Sequence, residues 1–428
     1  MTTIIKNTTV VTQNARREIL RGAFLLIENG LVQKISLKPL RHPSAGRVVD
    51  GADFIIFPGF INAHVHLGES IYKFFLKGKL DLKGYLKATE SIVKRSPLVE
   101  ERRRTVSNYS SMLLLKSGTT AVCGGRTGAA GEAWGMKNVS GYMMMKSSKL
   151  GKYYPEFQHK FAAEYAAAQR SRFTKPAIFI HSLNTIDRKA LVGIRALRDK
   201  FPGLPVIIHL SETRAGENEV KRKFGKSSTR VLHDAGLLEK KTLVVHCNWL
   251  GGSDFDLIKK AGATIVHCPS SNLRVDDGIL DLAEPLRRGI PMCLGTDGLV
   301  TGGSLDVLAE ARFTHDYHNR RADRLIVSAA ECLDMITIAG ARALGLDRIA
   351  GSVEEGKGAD LVFIRKSNPL ISEDDPIGSL IRYAHPSMID GVMMNGSFKV
   401  WHGKFPHEKA VTEEFLGLAR KIKRQLGR

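Results

Sequence analysis

The sequence predicts an α/β protein, a (β/α)₈ TIM barrel with a small β-sandwich built from the N- and C-terminal segments. Three observations point there. Between residues 58 and 350 short apolar runs alternate with longer amphipathic segments, the pattern of parallel strands joined by helices. Eight such runs can be counted, the number that closes a barrel. The segments on either side lack that alternation and read as short strands and turns.

The candidate strands are Phe57–Ala63, Thr119–Cys123, Gly141–Met145, Ala177–His181, Pro205–His209, Thr242–His246, Ala263–His267 and Pro291–Thr296. Helical patterns lie between them, among them Arg188–Lys200, Gly216–Phe224, Asp254–Ala261 and Leu280–Arg288. A doubly wound open sheet is the competing layout, but no Gly-x-Gly-x-x-Gly turn follows the first strand. Upstream, Thr8–Thr12, Ala23–Glu28 and Val32–Ile35 alternate, and Asn29-Gly30 between the last two is a strong hairpin signal. Downstream, Gly351–Lys357, Ala359–Ile364, Gly391–Met394 and Lys399–Trp401 read as strands and turns. Residues 1–57 and 351–405 are therefore expected to pair as one discontinuous β-sandwich domain around a catalytic barrel at 58–350. The remainder, 406–428, is a C-terminal helix, amphipathic from Glu408 to Gln425.

Composition narrows the class. Of 428 residues, 43% are hydrophobic and 25% charged, as in soluble globular proteins. No stretch approaches the ~20 apolar residues of a membrane helix, and the first residues show no charged segment followed by a long apolar run, so export is not expected. The five cysteines (Cys123, Cys247, Cys268, Cys293, Cys332) are odd in number and form no Cys-x-x-Cys pair. That argues against a disulfide framework and for a reducing cytoplasm. The net charge of +21 invites a nucleic-acid reading. The basic residues are scattered, however, as in Lys221-Arg222-Lys223, Arg287-Arg288 and Arg320-Arg321, with no aromatic interleaving. Solvated surface charge is preferred, nucleic acid is not an expected partner, and an anionic substrate stays compatible.

The chemistry gathers at strand ends. The first strand runs into His64-Val65-His66, and alternate strand side chains share a face, so two imidazoles project side by side. Such a pair is half of a divalent-metal site. Three later strands end in His209, His246 and His267, and the eighth leads into Asp297. In a barrel these C-terminal ends meet at one mouth, where active sites sit. A single strand-end histidine is more often a packed residue than a ligand; this convergence is hard to explain as packing. Imidazole with carboxylate suits Zn²⁺ or Fe²⁺. Glu212, three residues past His209, lies where a proton shuttle beside water would sit, or where an acid caps the next helix. The residues alone leave those two readings open.

These motifs carry a resemblance. Pro58-Gly59-Phe60-Ile61-Asn62-Ala63-His64-Val65-His66, His209-Leu210-Ser211-Glu212-Thr213, Val245-His246-Cys247, His267-Cys268-Pro269-Ser270-Ser271-Asn272-Leu273, Gly295-Thr296-Asp297-Gly298 and the stretch 351–362 resemble the amidohydrolase superfamily. The branch is that of the cytosine, guanine and adenosine-type deaminases and the triazine hydrolases. The matches span nearly the whole chain in order. The resemblance implies one divalent metal, Zn²⁺ ahead of Fe²⁺, bound by His64, His66, His209 and Asp297. It implies that His246 hydrogen-bonds the attacking water, that Asp297 accepts its proton and that Glu212 shuttles protons. Members with two metals bridge them through a carbamylated lysine ending strand four; here that strand ends in His181, which favours one metal. His267 is then structural, since a fifth protein ligand would crowd out water.

Three further residues are candidate substrate contacts. His181 opens His181-Ser182-Leu183-Asn184, where family nucleoside deaminases often show His-Ser-Pro-Tyr. Tyr85, in Leu82-Lys83-Gly84-Tyr85-Leu86, stands where relatives carry a tryptophan over the site and either stacks on a ring or packs the loop. Arg126, in Gly124-Gly125-Arg126-Thr127-Gly128, is a candidate for an anionic substrate group. The expected function is hydrolysis of a non-peptide carbon–nitrogen bond: deamination of an amino-substituted nitrogen heterocycle (purine, pyrimidine, pterin or nucleoside). The alternative is an s-triazine chlorohydrolase, an N-dealkylating enzyme or a cyclic-amide hydrolase using the same site. Behind both stands a catalytically silent nucleic-acid-binding barrel. The expected partner is a small heterocyclic substrate, with no membrane; a homo-oligomer is compatible with the sequence.

Overall fold

Parallel strands alternate with helices through the middle of the chain. The computed structural model describes residues 2–41, 46–78, 81–128, 133–145 and 154–427. Six parallel strands form one sheet in the order Met143–Met144, Ile178–Ile180, Val206–Leu210, Thr242–His246, Thr264–His267 and Met292–Leu294. Register places Ile207 opposite Leu243, Val244 opposite Ile265 and Val266 opposite Cys293. Apart from half-buried Met143, these strands are buried along their whole length. That is why they read as continuous Val/Ile/Leu runs and not as alternating ones. Lys137–Gly141 pairs in parallel with Thr174–Pro176, and Val65–His66 pairs with Asp297–Gly298. The Ala63 amide donates to the Leu294 carbonyl at 2.9 Å.

The departures from expectation have local causes. The first run is divided at Gly59 into Phe54–Pro58 and Phe60–Asn62. The third strand begins at Lys137, four residues earlier than expected. Its leading residues are polar, yet Asn138 is fully buried and donates through its amide to Thr174 Oγ1 at 3.0 Å. The fourth is split into Thr174–Pro176 and Ile178–Ile180 beside the proline. The eighth is shorter, Met292–Leu294, with Asp297–Gly298 following as a separate pairing segment.

Helix Arg188–Lys200 lies where the periodicity placed it, capped by Asp187, whose carboxylate accepts from the Ala190 amide at 2.8 Å. The next reaches back to Arg214, because Thr213 caps it by accepting from the Gly216 amide at 2.9 Å. The pattern at 280–288 yields only Ala283–Arg287.

The terminal segments meet in an eight-stranded mixed sheet. Its order is Ser397–Trp401, Ile389–Met394, Leu361–Arg365, Phe54–Pro58, Thr3–Val11, Ile19–Glu28 and Leu31–Ser36, with Arg47–Asp50 also pairing with Thr3–Val11. Asn29 and Gly30 both adopt left-handed backbone (φ 53° and 82°), as a two-residue hairpin turn requires. Gly351–Lys357 forms no strand; it runs as turns whose Val353 and Gly356 amides donate to the Thr12 and Val32 carbonyls. Ile5, Val10, Leu25, Ile27, Phe54, Ile56, Phe363 and Met393 form one buried cluster here.

The chain divides into two compact units: Met1–Asn62 with Ser111–Ala121 and Asp306–Thr412, and Ala63–Ser110 with Val122–Leu305 and Glu413–Arg428. In the second, Phe415, Leu418, Ala419 and Ile422 of the C-terminal helix Glu408–Gln425 pack on Ile71, Tyr72, Tyr85 and Val106. Full burial of such side chains contributes about 1.5–3 kcal/mol each. The apolar stripe read from the sequence thus braces helix Leu82–Arg95, which carries Tyr85. Among the described residues no helix is long and apolar enough to cross a membrane, and all five cysteines are buried.

Candidate active site

The site residues sit where parallel strands stop. His209 closes Val206–Leu210 and His246 ends Thr242–His246. The stops are abrupt: Ser211, His246, Cys247 and Asp297 are non-glycine residues at φ 47°, 74°, 59° and 58°. Left-handed backbone at such residues costs on the order of 1–3 kcal/mol each and persists only where surroundings enforce it. Four of them at neighbouring strand ends mark this rim as a built site.

Four polar atoms converge there. His64 Nε2 lies 3.2 Å from His209 Nε2 and 3.4 Å from Asp297 Oδ1, and His66 Nε2 lies 3.0 Å from that same oxygen. His64 is fully buried, and His209 and Asp297 nearly so. His209 Nδ1 is buried without a hydrogen-bond partner, and no network of imidazoles satisfies three convergent Nε2 atoms. Ligand atoms about 2.0–2.1 Å from one tetrahedral cation stand at separations of this size. Among the described residues two overlapping sets of donor atoms lie close enough together to hold an ion, His64/His66/His209 and His64/His246/Asp297. The carboxylate is oriented from behind: Ser271 and Thr301 hydroxyls donate to Asp297 Oδ2 at 2.5 and 2.9 Å, which leaves Oδ1 facing the imidazoles.

Glu212 and His246 form the adjoining part. His246 Nε2 is 3.4 Å from Glu212 Oε1, and His246 Nδ1 is 2.8 Å from Asn272 Oδ1. An amide oxygen only accepts, so Nδ1 carries the hydrogen and Nε2 faces the site with its lone pair. Burial holds His64 and His181 down to about 4, and His209 well below its ordinary range, with neighbouring imidazoles adding to the effect. Burial also lowers His66, but Glu69 and the hydrogen bond to Asp297 outweigh it and bring His66 to about 9. Asp297 is held well below the carboxylate range, because hydrogen bonds and charge from His64 and His66 overcome its burial. Glu212 is pushed up, first by burial and then by the Asp297 charge.

A cavity of about 800 Å³ opens over this cluster and is lined by His66, Tyr85, His181, His209, Glu212 and Asp297, among others. Ligand pockets are typically of about 300–1,000 Å³. Residues 55–399 match the amidohydrolase family. The chain belongs to that family.

The relatives of this amidohydrolase agree. A 5-methylthioadenosine/S-adenosylhomocysteine deaminase from Pyrococcus furiosus is 29% identical over 417 residues, covering 92% of this chain and 94% of that protein. An adenosine deaminase from Xanthomonas campestris, solved with bound zinc, has a TM-score of 0.90 at 22% identity over 99% of this chain and 98% of that one. The zinc complex of an atrazine chlorohydrolase from Arthrobacter aurescens has a TM-score of 0.86 at 18% identity over 97% and 100%. These likenesses bear out the resemblance and the deaminating class read from the motifs, and place the fold with the TIM-barrel-type amidohydrolases.

The sequence-predicted residues of this amidohydrolase fall in three places. His64, His66, His209, Glu212, His246 and Asp297 come together as described. Tyr85 and His181 line the same cavity; the Tyr85 hydroxyl donates to Glu69 Oε2 at 2.6 Å, and His181 Nδ1 is 2.9 Å from Ser182 Oγ. His267 is fully buried, and its carbonyl accepts from the Gly295 amide at 3.0 Å. Arg126 stands apart: at φ 58° it follows the strand Thr119–Gly125 and lines a different cavity with Arg103 and Glu164.

Sequence reasoning missed three functional neighbours. Asp277 hydrogen-bonds Glu212; burial pushes both carboxyl groups up, the Glu212 charge raises Asp277 further, and the hydrogen bond from Asp277 draws Glu212 part of the way back. Asn272 fixes the His246 tautomer and donates to Asn248 Oδ1 at 2.8 Å; Asn248 in turn donates to the Glu212 carbonyl at 3.0 Å. Glu69 Oε1 lies 3.7 Å from His66 Nδ1, on the side away from the cluster.

Gly295 lets the chain just past Met292–Leu294 approach His64 closely. A Cβ there would lie 2.7 Å from His64 Cβ and 2.8 Å from both its amide nitrogen and its carbonyl oxygen. Backbone cannot yield as a side chain does, so Gly295→Ala is expected to destabilise the fold by about 1–3 kcal/mol in denaturant titrations. An unchanged midpoint would mean His64 is not pinned by this approach.

Proposed function

We propose that this amidohydrolase releases ammonia from an amino-substituted nitrogen heterocycle, with an adenine ring carrying a bulky substituent as the leading substrate. One observation carries the proposal: three Nε2 atoms and a carboxylate oxygen lie 3.0–3.4 Å apart along the measured pairs, at the floor of a cavity that His66, His209, Asp297 and Glu212 line. The cavity volume far exceeds a bare ring, and relatives named for 5-methylthioadenosine, S-adenosylhomocysteine and 5'-deoxyadenosine fit that excess.

His64, His66, His209 and Asp297 would hold one divalent cation, zinc ahead of iron, since imidazole and carboxylate suit a borderline metal. The ion supplies Lewis acidity that lowers the pKa of water toward neutrality. The residues do the rest. Asp297 Oδ1 takes up the proton lost from water as the oxygen adds to the ring carbon bearing the amino group. Glu212, protonated with Asp277 behind it, gives its proton to the adjacent ring nitrogen. His246 Nε2 orients the adding oxygen. The proton on Asp297 then passes through Glu212 to the departing nitrogen, the carbon–nitrogen bond breaks with ammonia as product, and the added hydroxyl gives its remaining proton to Glu212, which leaves a ring carbonyl and restores the acid. His181 and Tyr85 are assigned to the substrate wall.

The finer architecture belongs to the same proposal. The strands at 58–350 close as a (β/α)₈ barrel, which the Ala63–Leu294 hydrogen bond supports. Residues 1–57 and 351–405 fold over their shared cluster as a β-sandwich, and 406–428 is an appended helix.

Metal analysis coupled to an ammonia-release screen tests the function. Adenosine, 5-methylthioadenosine, S-adenosylhomocysteine, guanine, cytosine, a pterin and an s-triazine make the panel. Ammonia from an adenine nucleoside is expected; chloride or alkylamine from the triazine alone would favour the alternative chemistry, and no turnover would end the proposal. Metal loading should also depend on pH. A protonated His66 cannot offer Nε2, so with its pKa at about 9 apparent affinity should climb about tenfold per pH unit up to that value. Calorimetry in buffers of different ionisation enthalpy should record one proton released per ion at pH 7–8. Affinity that is flat from pH 7 to 9 would contradict this.

A further inference from the structure

A second cavity, of about 470 Å³, lies in the same compact unit and shares no lining residue with the catalytic one. Four arginines line it. Arg103 and Arg104 come from the first turn of helix Arg103–Lys116, Arg170 from the last turn of helix Tyr154–Arg170, and Arg126 from the glycine-rich loop whose role the catalytic chemistry leaves unassigned. Glu164 is the one carboxylate among the described lining residues. Burial pushes the Glu164 carboxyl up while Arg126 and Arg103 pull it back, which places the acid against those two. Arg104 and Arg170 form no ion pair among the described residues.

This is not an ordinary solvated face. Like charges around one concavity repel, and a single carboxylate offsets only part of the excess. The helix N-terminus at Arg103 adds partial positive charge at the same place. Arg126 is held at φ 58°, an unfavourable conformation for a non-glycine residue. Ser140, which also lines the cavity, accepts from the Gly128 amide at 3.2 Å and keeps its hydroxyl hydrogen available. A planar guanidinium fork matches the paired oxygens of phosphate and carboxylate.

We infer that this cavity is a binding site for a small oxyanion of two or more negative charges, held chiefly by Arg104 and Arg170 and seated against Arg103 and Arg126. Phosphate and dicarboxylates share that chemistry, and the test separates them. Inorganic phosphate and succinate are titrated calorimetrically into the full-length, metal-loaded protein at constant ionic strength. Saturable binding at one site per chain is expected for at least one of the two. Phosphate alone would assign a phosphoryl ligand, succinate alone a dicarboxylate.

Arg104→Ala with Arg170→Ala should weaken that binding at least tenfold at unchanged melting temperature, since both side chains are exposed and support no core. Glu164→Gln removes the competing internal anion and should tighten binding severalfold, an outcome that does not depend on the double variant folding. No saturable binding to the unmodified protein, or equal affinity in the double variant, would overturn the inference. Weaker binding in Glu164→Gln would overturn it as well.

Discussion

Replacing Glu212 with glutamine is expected to cut turnover by about 10²–10⁴-fold or more while leaving metal content unchanged. The amide keeps the shape, the hydrogen bond to Asp277 and a donor toward the ring, but it cannot give up a proton and take it back. Burial and the Asp297 charge both raise the Glu212 pKa, so the acid form persists toward neutral pH, which is the form a ring nitrogen needs. Its contact at 3.4 Å is to His246, and it stands in neither of the donor sets that could hold an ion. Two measurements decide the matter together: ammonia release on the best heterocycle, and metal per chain after gel filtration. Metal lost along with activity would make Glu212 a ligand; activity within tenfold of the parent protein would remove it from proton transfer.

How much of this was legible beforehand follows the kind of signal each residue gives. Thr242–His246 and Arg188–Lys200 were readable to the residue, because a buried parallel strand is a continuous apolar run and an amphipathic helix repeats at 3.6. His64 and His66 were readable because strand geometry converts a one-residue spacer into a shared face. The beginning of Lys137–Gly141 was not, since its polar residues are buried by hydrogen bonds that only the fold supplies. Gly351–Lys357, read together with its neighbours as strands and turns, runs as turns alone: its Val353 and Gly356 amides go singly to the Thr12 and Val32 carbonyls, so no ladder forms.

Asp277 and Glu69 gave no signal at all. A single acid in a polar loop has no periodicity, and the partners that raise it to interest, Glu212 for one and His66 for the other, lie far away or across a turn. The Ser271-Asn272 pair was visible as part of a motif, but its work was not: Ser271 holds Asp297 and Asn272 holds His246. Arg126 shows the limit from the other side. Its glycine-rich loop drew attention to a residue suited to an anion, but the sequence could not say that it lines a cavity other than the catalytic one.

Asp297→Ala should abolish both activity and metal retention. Of the four converging atoms, Asp297 Oδ1 is the only one that can bring negative charge, and it is the atom that both His64 and His66 approach, at 3.4 and 3.0 Å. Removing it leaves three imidazoles of which two already resist protonation by burial, so no charge is left to offset a divalent cation taken out of water. The loss of affinity should exceed the ~10–100-fold that follows from deleting a residue behind a ligand. Ser271→Ala supplies that comparison, because it strips one hydrogen bond from Asp297 Oδ2 and leaves Oδ1 in place. Chelator competition on the two variants therefore separates ligation from orientation: a steep loss in Asp297→Ala beside a modest one in Ser271→Ala is expected. Equal losses would reduce Asp297 to a supporting acid, and retention of a full complement of metal by Asp297→Ala would mean that the ion sits on the histidines alone.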